Sequence, residues 1–254
     1  LIREGDYEAG TILIEKMLAI ALRLGNADYV IQGHKELIYH AIRIHDLTRM
    51  SQCIETALTE ARKQQNPKEV GVLLRLKGLM KILGGFLPEA EEFLDQATQI
   101  FQSIDNEDLR YALNIAACYC YQGDIFRNRR QYDKALDFYR QSIALSESAW
   151  GTQSLAIFHS GAGQAAFQLQ KWEEAWSHLD KAICIYDLLD SGWGRAVAEG
   201  YMALLCCKKS DYPKGKQYLL DAEQHANKSR NPYEMGLLYR VKAEIRSGMV
   251  KNKA

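Results

Sequence analysis

The stretch Ser160-Gly161-Ala162-Gly163-Gln164 invites a chemical reading first, because it has the glycine content of a loop that cradles phosphate with backbone N–H groups. Such loops end in Lys-Ser or Lys-Thr, so that an ammonium reaches the phosphates and a hydroxyl reaches the metal. Here Gln164 is followed by Ala165-Ala166, and the pattern places the stretch in mid-helix. His40 and His45 are five apart, off the i, i+4 spacing that brings two ligands to one helix face. Cys118 and Cys120 are two apart and point to different sides, and adjacent Cys206-Cys207 matches no zinc spacing. Arg127, Arg129 and Arg130 make a basic turn, but Lys plus Arg equals Asp plus Glu at 32 each. The bulk charge that draws a chain to nucleic acid or to an anionic membrane surface is absent. The residue types thus predict no catalysis, no cofactor, no metal, no direct nucleic-acid contact and no membrane association.

The elements that carry these residues are legible from spacing. In Arg130-Gln131-Tyr132-Asp133-Lys134-Ala135-Leu136-Asp137-Phe138-Tyr139-Arg140-Gln141-Ser142-Ile143, the residues Ala135, Phe138, Tyr139, Ser142 and Ile143 fall at i, i+3, i+4, i+7 and i+8. That is one face of an amphipathic helix entered through a polar turn. The same pattern recurs five more times. The small residue near its start is Gly10, Met50, Ala90, Ala135, Ala175 and Gly215, at intervals of 40, 40, 45, 40 and 40. A fixed period of this length means stacked helix pairs.

The phase predicts helices near 7–24, 28–44, 47–64, 68–83, 87–103, 107–127, 131–148, 153–168, 172–188, 194–208, 212–228 and 233–247, with Leu1–Glu4 as the tail of an earlier helix. Five extra residues fall within Thr98–Gln122, at the end of one helix, in the loop Ser103–Asp108 or at the start of the next. Asn66-Pro67 and Asn231-Pro232 stand at the same phase and predict a capping asparagine with proline at the first helical position. The six cysteines, five of them among apolar helical neighbours, read as reduced thiols. No apolar run approaches the roughly 20 residues that span a bilayer. A start at Leu1 without a signal-peptide pattern reads as a piece of a longer cytoplasmic protein, 1–254 being one repeat array.

These repeats resemble tetratricopeptide repeats, in which helix A carries a glycine, an aromatic follows the turn, and helix B carries alanines. The glycine slot holds Gly78, Gly123 and Gly163; the aromatic is Tyr7, Tyr132, Trp172 and Tyr212; the second alanine is Ala57, Ala97, Ala182 and Ala222, with Met17 and Ser142 as departures. Glu199 occupies a slot usually filled by an apolar residue. The common unit is about 34 residues, so this 40-residue unit is similar to a long-repeat subclass. That subclass includes sensor domains of bacterial regulators, peptide-pheromone receptors and spindle-orientation scaffolds.

The resemblance implies an all-α, right-handed superhelical solenoid of about twelve helices, with a concave groove lined by the A helices. By phase the groove positions include Lys35 and Arg75, then Tyr39, Leu79, Asp124, Gln164 and Leu204, then Ile82, Arg127 and Phe167. An apolar groove with scattered basic residues suits an amphipathic peptide bearing acidic groups. The implied function is a non-enzymatic protein- or peptide-binding scaffold or sensor. The alternatives are the effector-responsive domain of a bacterial transcription regulator and the accessory interaction domain of a multidomain enzyme. Neither ligand identity nor oligomeric state is encoded in the pattern.

Overall fold

A computed structural model describes residues 7–104, 109–148, 152–189, 194–229 and 231–251. Among them are twelve α-helices and no strand: α1 Tyr7–Arg23, α2 Ala27–Ile44, α3 Leu47–Lys63, α4 Pro67–Leu83, α5 Leu87–Ser103, α6 Leu109–Asn128, α7 Tyr132–Ser148, α8 Thr152–Gln168, α9 Trp172–Leu188, α10 Arg195–Lys208, α11 Tyr212–Ser229 and α12 Pro232–Lys251. Every predicted helix is present. Only α12 departs from its predicted bounds by more than two residues, running on to Lys251. The tail expected at Leu1–Glu4 lies outside the described residues, as do 105–108 of the insertion. α5 has 17 residues, like α3, so the insertion does not lengthen it, whereas α6 reaches 20.

The period is written in the backbone as well as in the side chains. The turn after each of the A helices α2, α4, α6, α8 and α10 contains one residue of positive φ: His45, Gly85, Arg130, Gln170 and Ser210. Each stands five residues before the small residue of the following helix. In every case its N–H reaches the carbonyl three back, and the next N–H reaches the carbonyl five back, as in His45 to Ile42 at 3.3 Å and Asp46 to Ala41 at 2.9 Å. This left-handed close satisfies carbonyls that a helix end leaves unpaired. Helix starts are served by side chains: Asn26, Asp46, Asn66 and Asp211 accept from the N–H three residues on. Asn231 accepts from Tyr233 and Glu234, so both Asn-Pro pairs act as their spacing predicts.

The described residues group into two compact units, one ending at Ile125 and one beginning at Phe126, with the boundary inside α6. In the first, Ile38, Met50, Ile54, Ala57, Leu73, Leu76 and Ala97 have no exposed surface. In the second the same is true of Ala135, Tyr139, Leu179, Ala182, Met202 and Leu205. Burying one large aliphatic side chain contributes about 1.5–3 kcal/mol. The glycine slot has a steric reason. A Cβ at Gly78 would stand 2.8 Å from Leu94, and one at Gly163 would stand 2.6 Å from Leu179, so both leucines pack on the bare backbone of the facing helix. Ser142, in an alanine slot, is fully buried and donates to the Phe138 carbonyl at 3.0 Å.

Candidate functional site

The phosphate-loop reading of Ser160–Gln164 dissolves into packing. The stretch lies in α8, and a Cβ at Gly161 would meet the Tyr139 ring at 2.5 Å, just as Gly163 makes room for Leu179. Among the described residues no group of three or more His, Cys, Asp or Glu could hold a metal ion. Cys53, Cys118, Cys120 and Cys206 are buried free thiols, while Cys184 is exposed. No helix among the described residues is long and apolar enough to cross a membrane.

The A-helix face of the first unit collects six of the predicted positions. Lys35 of α2 donates to Glu69 of α4 at 2.9 Å. Tyr39 is 41% exposed, whereas Arg75 is only 8% exposed. Leu79 is half-buried against the main core of this unit, and Ile82 against a smaller cluster of Ala90, Leu94 and Ile125. Asp124, on α6, is half-buried and acts on the Tyr121 hydroxyl.

Arg75 is the unusual member. Its Nη1 donates to Tyr121 Oη at 3.4 Å, and its Cζ stands 5.8 Å from the centre of that ring. Its Nε has neither exposed surface nor an acceptor. Burial pushes the Tyr121 phenol well up from its ordinary value, and Arg75 offsets part of that rise. The Cys118 thiol is pushed up to about 11, again chiefly by burial. Both groups therefore keep their protons at neutral pH.

The second unit holds the other four positions in a more closed arrangement. Arg127 donates through Nε to Tyr139 Oη at 3.1 Å and through Nη1 to Gln164 Oε1 at 3.3 Å. Gln164 donates to Ser160 Oγ at 3.4 Å. Phe167 meets Trp172 and Tyr201 edge-on, with ring centres 5.4 and 5.6 Å apart. Gln164, Phe167 and Leu204 are all buried. In this unit the phase-derived positions pack between helices, and Arg127 is the half-exposed one.

Three arrangements escaped the sequence. His159 and His178 bring their Nδ1 atoms to 2.8 Å. Glu199, in its apolar slot, is 2% exposed and held by Arg195 Nε at 2.7 Å and His225 Nδ1 at 2.7 Å. Glu234 is 3% exposed and accepts from Gly194 N–H at 2.5 Å and from the Ser229 hydroxyl. The one available signal was a charged residue in a core slot, which obliges its neighbours to supply an opposite charge.

No known protein-family profile and no curated protein matches the chain. Solved structures do match by shape. BtubC from P. vanneervenii superposes with a TM-score of 0.64 at 15% identity, over 87% of this chain and 91% of BtubC. A Rap protein complexed with competence and sporulation factor gives 0.68 at 11% identity, over 88% of this chain and 67% of Rap. A signal-transduction ATPase with a tetratricopeptide repeat sensor, from Pyrococcus horikoshii, gives 0.60 at 13% identity, over 96% of this chain and 41% of the ATPase. The fold is a tetratricopeptide-type helical repeat. Within such repeats the A and B helices of each pair are adjacent, as α4 with α5 and α8 with α9 are here. Tyr121, the partner of Arg75, lies 46 residues on, one position beyond the 45-residue interval that holds the insertion, so it falls off the shared phase.

Proposed function

We propose that this chain is a non-enzymatic protein- or peptide-binding repeat scaffold, or the sensor part of a larger protein, acting through the inner face of its A helices. The observation that carries the reading is the α2–α4 face. There the exposed Tyr39 of α2 stands beside the buried cation Arg75 of α4, and α4 also carries the half-buried Leu79 and Ile82. Apolar surface with a few placed polar groups is the composition that holds an amphipathic peptide. Support from shape is general: a Rap protein with a similar fold is complexed with competence and sporulation factor.

The test is selection of twelve-residue peptides (a length of about 12 spans roughly three helical turns) from a displayed library against the whole chain. Selected peptides are expected to lose most of their affinity for Tyr39→Ala and to bind Gln52→Ala, on the B helix α3, like the parent. Equal loss on both variants, or no loss on either, removes the A-helix face from consideration. The more specific reading, an effector-responsive domain of a transcription regulator, shares the Pyrococcus ATPase's pairing of such repeats with a sensor role. A DNA-binding segment encoded beside this one in the same reading frame distinguishes it.

A further inference from the structure

We infer that Arg75 is the anchor for a single carboxylate of an acidic peptide, which docks on the α4 face beneath Tyr39 and completes the guanidinium. The inference rests on the A-helix reading above and names the group that face recognises. An arginine keeps its charge at any ordinary pH and carries five N–H donors in a planar fork. Burying such a group demands compensation from an anion or from a full set of acceptors. Arg75 has two phenols and a thiol around it, Tyr121, Tyr39 and Cys118, and hydrogen-bonds to both phenols. Its Nε–H has no acceptor at all.

Several other charged groups, by contrast, are matched by an opposite charge. On the same helix Lys77 reaches Glu55 at 2.6 Å and Lys81 reaches Glu89 at 2.8 Å. Lys35 has Glu69 at 2.9 Å. The buried Glu199 of the second unit has both a guanidinium and an imidazole. Arg75 alone among these combines burial with neighbours that carry no negative charge.

The chemistry of the missing partner follows from what surrounds the fork. A carboxylate offers two coplanar oxygens at the spacing of the Nε–H and Nη donors. One guanidinium neutralises one negative charge, and Lys35 is already matched by Glu69. A monoanion therefore fits, where a phosphate dianion would leave a second charge unmatched. Tyr39 is exposed, so a carboxylate can take over its hydrogen bond to Arg75 as the ring moves aside, and Leu79 and Ile82 supply apolar surface for the remainder of a peptide.

The experiment follows the arginine Nε–H signals of the nitrogen-15-labelled chain, with the Arg75 signal identified by its loss in Arg75→Lys. The probes are sodium acetate, N-acetylglutamate methylamide, sodium phosphate, and sodium chloride at matched ionic strength. Acetate and the glutamate amide are expected to shift the Arg75 signal saturably, phosphate less so, and chloride not at all. Library-selected peptides are then compared as Glu and Gln forms on the unaltered chain. The Glu form is expected to bind about tenfold more tightly, as loss of a charge-assisted hydrogen bond implies. A signal unmoved by either carboxylate, or moved further by phosphate, overturns the inference. Equal affinity of Glu and Gln forms overturns it while leaving the A-helix reading in place. A saturable acetate shift with no peptide binding upholds the anchor and removes the peptide-binding reading instead. The comparison of Glu and Gln peptides uses only the unaltered chain, so it decides the inference even where a folding defect in Arg75→Lys blurs the signal assignment.

Discussion

His159 and His178 face each other at 2.8 Å through their Nδ1 atoms, so one ring must carry its proton there and the other must not. His159 is 2% exposed, and burial, then His178 and Lys181, push its pKa down to about 4. His178 is lowered by burial too, against the pull of Glu174 and with Lys181 and Arg140 adding to the effect. The unfolded chain takes up the His159 proton near pH 6.5. Stability from this ring is therefore fully present above that pH and is lost as pH falls toward about 4, because the unfolded state then binds more protons. The loss should reach about 2–3 kcal/mol. Thermal melts at several pH values across that window should show a fall that His159→Gln flattens. A parent and variant with parallel pH profiles would place the acid sensitivity elsewhere.

At the scale of the helix, the turns decide the register. Of the five left-handed residues that close the A helices, only Gly85 is a glycine; His45, Arg130, Gln170 and Ser210 have side chains in that conformation. A non-glycine residue there costs about 1–2 kcal/mol against its ordinary backbone, of which glycine's extra unfolded freedom offsets part. Gln170→Gly is accordingly expected to raise stability by about 0.5–1 kcal/mol. Gln168→Gly, two residues earlier and still inside α8, should lower it by a similar amount. Denaturant midpoints of the two variants check the sign, and a fall in both would mean that the Gln170 side chain holds the turn together. Helix positions were legible because capping and turn chemistry is local: Asn66, Pro67 and Asn231 act within four residues of themselves. The insertion was legible as a length but not as a place, since no local residue type distinguishes a longer α6 from a longer loop.

For the molecule as a whole, protection should follow the number of flanking elements. In the first unit α4 packs against α3 and α5, and it buries an unbroken run from Gly71 to Leu76. α1 packs on α2, and leaves Ile12, Leu13, Ile20 and Leu22 between 46% and 61% exposed. In stacked repeats each element is held by its nearest neighbours, so opening free energy falls where neighbours are fewer. Amide hydrogens of α1 are therefore expected to exchange faster than those of α4. Equal protection would mean that another chain or a compensating contact covers the apolar side of α1.

The sequence by itself determined the helical repeat, its period, the break in that period and the small residues at helix crossings. All of these follow from a 3.6-residue periodicity combined with local capping. Ala57, Ala97 and Ala182 have zero exposure because the same face returns at the same phase. The tertiary structure decided which charged and polar side chains have partners. Lys35 finds Glu69 at a separation of 34, Arg75 finds Tyr121 at 46, and His159 finds His178 at 19. None of these separations is a multiple of the repeat. Phase specifies which helices adjoin and which faces they share, whereas a hydrogen bond depends on tenths of an ångström between side-chain tips. That distance is set by helix rotation and rotamer, which only the assembled packing provides. The same reason leaves Arg75 without an anion and Phe167 walled in by Trp172 and Tyr201, although both stood as equivalent groove positions by count.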